Sequence, residues 1–299
     1  MNDVEQSVDA YLAQLRRRGA SPHTPIKYRP FLARFAAWAD DREFGSITAA
    51  QIELDYLAEW HDAFASEHGR SPSPDTQRNH IVALRGFFRW ALRFDMIERD
   101  PMVKIECVRA KRKLKDHLTP AEFDALLQAC GTIEDRFLVC WLGFTAMRIS
   151  EANSVSFSRL DLSSNPGRIT ISDSKTDAGI RTIPVAAELR PILVTWIALK
   201  REQGLDGPTM PVFSTRLGTP VTQQQAFKSL KRLSAKAGIT KRVSPHTLRR
   251  SLATLLLNNG TSMEVVSAIL GHSNVKVTQE AYAELLTPTI EAAFMRVMG

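Results

Sequence analysis

The longest apolar stretch in the chain runs from Phe137 to Met147 and stops at an arginine, Arg148. Its eleven residues are about half of what a helix needs to span a bilayer. The stretch therefore predicts a buried helix with a globular core around it. A charge directly after such a helix needs a reason. Arg148 either pairs with Glu151, three residues on, or makes a bidentate contact with a phosphate.

The rest of the chain reads as mainly helical with a small β-sheet. Leu12, Leu15, Phe31, Phe35 and Trp38 recur at helical spacing. Ser21-Pro22 reads as an N-cap followed by a first-turn proline, and Pro30 predicts a kink or a delayed start. Thr48-Ala-Ala-Gln51 is a capping box that predicts a helix through Trp60. After a polar turn, Gly69 to Pro74, the segment Thr76 to Phe94 predicts one amphipathic helix. Its apolar face holds Ile81, Leu84, Phe88, Ala91 and Leu92, and its other side carries Arg78, Arg85, Arg89 and Arg93. A basic run follows, with Lys104, Arg109, Lys111, Arg112, Lys113 and Lys115. It reads as a linker, 104–117, between a helical domain over 1–103 and a second domain over 118–299.

That second domain opens on the capping box Thr119-Pro-Ala-Glu122. Arg168 to Ser172 and Arg181 to Val185 alternate like strands around a polar segment, which predicts a β-hairpin. After Pro191 the chain reads as mostly helical.

With 39 Lys and Arg against 32 Asp and Glu, the net charge is +7. A basic balance favours a polyanionic partner, most commonly nucleic acid. Cys107, Cys130 and Cys140 form no CxxC pair, so neither a disulfide framework nor a zinc ribbon is indicated, and a reducing cytoplasm fits. The opening MNDVEQSVDAYLAQ lacks the basic start and apolar core of a signal peptide. The expected location is the cytoplasm, with no membrane partner.

Three further segments carry chemistry. Ser244 caps a helix with Pro245 at its first position, which puts His246 and Arg249 on one face near a positive helix end. Alone, this also fits an ordinary surface helix. Thr261-Ser-Met-Glu264 reads as a capping box for a helix that Gly271 stops, so that His272 projects from a helix end. Tyr282 follows, flanked by Ala281 and Ala283; taken alone it fits a packing role several times better than a catalytic one.

Their order is more specific than any one of them. TAMRISE, SKTDAGIRTIPV, HTLRR and LGHSNVKVTQEAY resemble, in sequence, the arginine box, lysine hairpin, second arginine box and histidine–nucleophile box of the tyrosine recombinase (phage integrase) family. SPHTPIKYRPFLARFAAW resembles that family's helical core-binding domain. The resemblance covers nearly the whole chain. It implies a SAM-like helical core-binding domain followed by an α+β catalytic domain, in a chain of Xer-like size without an arm-binding domain. Ala146 stands where the family commonly has glycine. Tyr282 lies ten positions after His272, where many members use nine.

By this resemblance Arg148 and Arg249 clamp the non-bridging oxygens of a DNA phosphate, and His272 adds a hydrogen bond. Tyr282 attacks phosphorus and forms a 3′-phosphotyrosine, His246 takes the phenol proton, and Lys175 protonates the leaving 5′-oxygen. No cofactor or metal is implied. DNA contacts are expected from Arg78, Arg85, Arg89, Lys111, Arg112, Lys113, Lys241 and Arg242. The implied partner is double-stranded DNA with paired core sites, bound by a homotetramer assembled from solution monomers, and an accessory or directionality factor is compatible. A C-shaped clamp of the two domains is expected, and the segment Thr287 to Met298 either docks on a neighbouring protomer or packs at home. The implied activity is site-specific integration or excision for a phage or mobile element. Chromosome-dimer resolution is the alternative, ahead of a type IB-like topoisomerase or a non-catalytic DNA-binding protein.

Overall fold

The computed structural model describes residues 3–19, 21–107, 116–172, 180–279 and 281–282. The chain divides into two compact units, Met1–Arg112 and Lys113–Gly299.

The described part of the first unit is helical: α1 (Asp3–Arg17), α2 (His23–Trp38), α3 (Leu57–His68) and α4 (Pro74–Arg93). Two ends differ from the sequence reading. Ser21 does not cap α2; Pro22 occupies that place in helical conformation without a side-chain bond. The helix also runs through Pro30, because packing of Leu32, Phe35 and Ala36 outweighs one missing backbone hydrogen bond. Gln51 does bond back to Thr48, but the residues it opens, Gln51–Tyr56, wind as a wide π-helical turn before α3. α3 continues past Trp60 to a left-handed stop at Gly69.

Ser73 caps α4 by accepting from the Thr76 N–H. The buried face of α4 includes Phe87 and omits Leu92, which is exposed. At 100° per residue Phe87 falls about 60° to one side of Leu84, opposite Phe88, whereas Leu92 lies about 80° to the other side, at the edge of the stripe. Phe35 is the hub of this core, with its ring 5.3 Å from Tyr56, 6.2 Å from Phe87 and 5.3 Å from Phe88. Ile105, within the expected linker, is buried in the same core.

The second unit contains α5 (Pro120–Gln128), α6 (Ile133–Thr145), α7 (Ile149–Ser154), β1 (Leu160–Asp161), β2 (Arg168–Ile171), β3 (Arg181–Pro184), α8 (Leu189–Glu202), α9 (Gln223–Lys236), α10 (Pro245–Asn258) and α11 (Met263–Leu270). The apolar run is α6, packed against α8 and α10. Trp141 is fully buried, and Phe137 stacks on Trp196 at 4.4 Å. Each such ring removed from water contributes about 2–3 kcal/mol. α6 is closed at one point by Phe123, whose ring lies 2.6 Å from where a Cβ on Gly143 would sit.

The hairpin forms as expected, with Ile169 opposite Ile183 and Arg168 opposite Pro184. Ile169, Ile171 and Ile183 point into the core. A third antiparallel strand, β1, pairs with β2; two residues are too few to show a period in sequence. Among the described residues no helix is long and apolar enough to cross a membrane. The chain is mainly α with a small antiparallel sheet.

A buried histidine gives the first unit a pH dependence. His80 is fully buried, with Nε2 2.7 Å from the Tyr56 hydroxyl, which also reaches the Phe31 carbonyl. Burial, then Arg34, lowers its pKa to about 3. The unfolded chain takes up this proton near pH 6.5, whereas the fold refuses it. Stability is therefore complete above pH 6.5 and falls as the pH drops toward 3. Denaturant unfolding between about pH 5.5 and 4 is expected to lose about 1.4 kcal/mol per pH unit through this group. His80→Phe should flatten the slope by that amount, and an identical slope in the variant refutes the assignment.

Candidate active site

α6 ends on Ala146, which takes the left-handed conformation at φ 51 and ψ 19. This is the position where glycine is usual, because a Cβ there costs about 1 kcal/mol. The turn releases Arg148 at the start of α7. The Arg148 backbone N–H donates to Oε2 of Glu151 at 2.9 Å, and its Nη1 donates to Oε1 at 2.6 Å. The salt bridge considered from sequence therefore exists. It leaves the Arg148 side chain 37% exposed while that of Glu151 is 4% exposed, so Arg148 can still meet an anion.

Ser244 accepts from the Thr247 N–H and starts α10. Arg249, one turn further, is buried. Its Nη1 donates to the Ala146 carbonyl at 2.6 Å, and its Nη2 donates to the Leu270 carbonyl. Nη1 also lies 3.7 Å from Glu151. Burial, then Arg148, lowers the Arg249 pKa to about 10, so it stays cationic at neutral pH.

α11 starts one residue later than the proposed capping box: Ser262, not Thr261, accepts from the Val265 N–H. Thr261 instead donates its N–H to Leu256, closing the turn after α10. Gly271 stops α11 in the left-handed region at φ 63. His272 follows with Nε2 3.2 Å from Nη2 of Arg249 and Nδ1 2.8 Å from the Thr278 hydroxyl. A guanidinium only donates, so Nε2 accepts and the ring proton sits on Nδ1, donated to Thr278. Burial, followed by the charges of Arg249, Arg148 and Arg181, lowers His272 to about 4.

Tyr282 is buried in a small cluster with Ala146, Ala253, Leu257, Val266 and Leu270. Burial raises its pKa, and Arg249 and Arg250 pull the other way. The structure thus places Tyr282 beside the two helix ends that carry Arg148 and His272. His246 is exposed and shares a hollow with Ile149, Phe227, Arg242 and Ser244, on the same helix as Arg249. Lys175 lies outside the described residues.

Among the expected DNA contacts, Arg78, Arg89 and Arg242 are exposed, with Arg242 5.0 Å above the Phe227 ring. Arg85 donates to the Ile105 carbonyl. Lys241 is engaged within its own unit, with Glu122 at 2.7 Å and the His117 carbonyl at 3.2 Å. Lys111, Arg112 and Lys113 fall outside the described residues.

Two residues escaped the sequence reading. Thr278, fully buried, fixes the His272 ring. Arg181 opens β3 with an 8% exposed side chain, donating to Glu151 at 3.0 Å and to the Ile269 carbonyl at 2.7 Å. The only hint was a long charged side chain at the start of a strand.

Residues 116–287 match the Phage integrase family, and residues 8–94 match the Phage integrase N-terminal SAM-like domain. The tyrosine recombinase XerD of Pseudomonas putida is 30% identical over 286 residues, covering 92% of this chain and 90% of that protein. Two solved structures share the fold. The XerH site-specific recombinase, bound to its palindromic difH substrate, has a TM-score of 0.74 at 22% identity, covering 94% of this chain and 83% of that one. A lambda integrase tetramer bound to a Holliday junction has a TM-score of 0.73 at 17% identity, covering 93% and 76%. The family match spans more than half of the chain and the XerD likeness nearly all of it: the chain belongs to the phage integrase family of tyrosine recombinases, enzymes that break and rejoin DNA.

Proposed function

We propose that this chain is a site-specific recombinase that exchanges strands between paired core sites through a phosphotyrosine at Tyr282. The observation that carries this reading is the convergence of Arg148, Arg249 and His272 on one small volume beside Tyr282. A phosphodiester repels nucleophiles by its charge, and more charge gathers on its oxygens as one adds. Two preorganised guanidiniums offset that charge, usually the largest catalytic contribution. Arg148 meets the phosphate from its exposed edge, and Arg249 is held rigid by two backbone carbonyls.

His272 is neutral before DNA arrives, with its Nε2 lone pair toward Arg249. To donate to a phosphate oxygen it takes up a proton there, which an approaching anion favours. Tyr282 leaves its apolar packing to reach phosphorus and loses its proton to His246 as the bond forms. The phosphorus–O5′ bond breaks, and Lys175 on the hairpin protonates the leaving oxygen. The phosphotyrosine conserves the bond energy, so the 5′-hydroxyl of a partner strand can reverse the step. Four protomers act on two duplexes in the cytoplasm, and the basic segment around Lys111, Arg112 and Lys113 contacts DNA phosphates.

Integration or excision of a phage or mobile element is the reading favoured by the ten-position step from His272 to Tyr282. Chromosome-dimer resolution is favoured by the near full-length likeness to XerD.

The direct test incubates the protein with a pool of nicked duplexes carrying a randomised centre, then recovers and sequences covalent adducts. Wild type is expected to yield adducts at a defined sequence. Tyr282→Phe should yield none while retaining binding to the recovered duplex. Adducts formed by that variant remove Tyr282 from the reaction. A second measurement follows the His272 imidazole by NMR. Its pKa is about 4 without DNA and should rise on binding the recovered duplex; a fall or no change contradicts the phosphate contact. Third, neutralising Lys111, Arg112 and Lys113 together should weaken binding and reduce the slope of log K against log salt by roughly 2–3. A slope equal to wild type excludes phosphate contacts by that segment.

A further inference from the structure

Arg181 is absent from the chemistry above, yet it touches two of the three motifs that build the site. Its Nε donates to the Ile269 carbonyl at 2.7 Å, in the last turn of α11 just before His272. Its Nη2 donates to Oε2 of Glu151 at 3.0 Å, the same oxygen that accepts the Arg148 backbone N–H and lies 3.7 Å from Arg249. Both side chains of the Arg181–Glu151 pair are nearly sealed from water, at 8% and 4% exposure. A buried carboxylate left without a partner draws the nearest cations to itself. Here those cations are the two guanidiniums needed by the phosphate. Burial pushes the Glu151 carboxyl up, and the Arg181 hydrogen bond is the largest influence bringing it below the ordinary carboxylate range.

We propose that Arg181 is a positioning residue of the cleavage site, neutralising Glu151 so that Arg148 and Arg249 keep their charge and orientation for the phosphate. With Arg181 in place, three guanidiniums surround one carboxylate. Without Arg181, Glu151 cancels half of the clamp. The bond to Ile269 meanwhile ties the base of β3 to the helix end that presents His272. This inference rests on Arg148 and Arg249 acting as the phosphate clamp.

The test measures single-turnover adduct formation on the nicked duplex recovered from the wild-type pool. Arg249→Gln serves as the benchmark for direct loss of the clamp, expected at 10²–10³-fold, roughly that of one oxyanion donor. Arg181→Gln keeps an N–H donor but loses the charge, and is expected to slow the reaction by about tenfold or more. Arg181→Lys keeps the charge and should stay within about tenfold of wild type. The deciding comparison adds Glu151→Gln to Arg181→Gln. Removing the uncompensated carboxylate should recover about threefold or more of the lost rate. A double variant no faster than Arg181→Gln overturns the proposal, as does an Arg181→Gln rate within about threefold of wild type when Arg249→Gln is impaired. Normal rates in Arg249→Gln overturn the clamp reading itself. Thermal melting accompanies each rate. Should Arg181→Gln fail to fold, Arg181→Lys decides, and a loss of about a hundredfold in that folded variant overturns the proposal.

Discussion

The carboxylate of Glu151 is the interaction on which the rest of the site depends. It is buried and has two oxygens to satisfy. The Arg148 side chain takes one; the Arg148 backbone N–H and Arg181 share the other, with Arg249 close by. These residues come from the start of α7, from β3 and from α10, segments up to about a hundred residues apart in sequence. A buried charge holds its partners in strict geometry because losing any one of them leaves it uncompensated, at a typical cost of 3–5 kcal/mol. One carboxylate thereby converts three separately folded motifs into a single preorganised surface.

Helix ends supply the second half of that surface. The last carbonyls of a helix lack intrahelical partners and carry partial negative charge. α6 and α11 both stop in the left-handed region, at Ala146 and Gly271, so their final carbonyls turn toward α10. Arg249 satisfies one carbonyl from each helix, and Arg181 satisfies another on α11. The arginines therefore complete the backbone of two helices while they gather positive charge. Anchored at both terminal nitrogens, the Arg249 guanidinium is held in one orientation.

The same crowding of cations explains the state of the remaining groups. His272 is pushed down to about 4 and kept neutral, with Thr278 taking its one ring proton. Tyr282 is held protonated by burial. The DNA-free site is thus positively charged but chemically quiet.

Much of this was legible in the sequence, for local reasons. The buried helix α6, the caps at Thr119 and Ser244, the glycine stop at Gly271 and the β2–β3 hairpin each follow from residues a few positions apart. The order of Arg148, Lys175, His246, Arg249, His272 and Tyr282 was enough to indicate the family. Where local rules competed with packing they failed. Pro30 sits inside a continuous helix because its neighbours are buried, and the α11 cap moved by one residue from Thr261 to Ser262. Only the tertiary structure decided that Glu151 is shared by three arginines, that Thr278 bonds to His272, and that Lys241 is engaged with Glu122. Those facts rest on contacts between segments 6 to 119 residues apart, and most are too distant for any local pattern to record. Sequence determined which chemistry this chain carries; folding decided which charges meet, because a buried carboxylate chooses its partners by proximity in space.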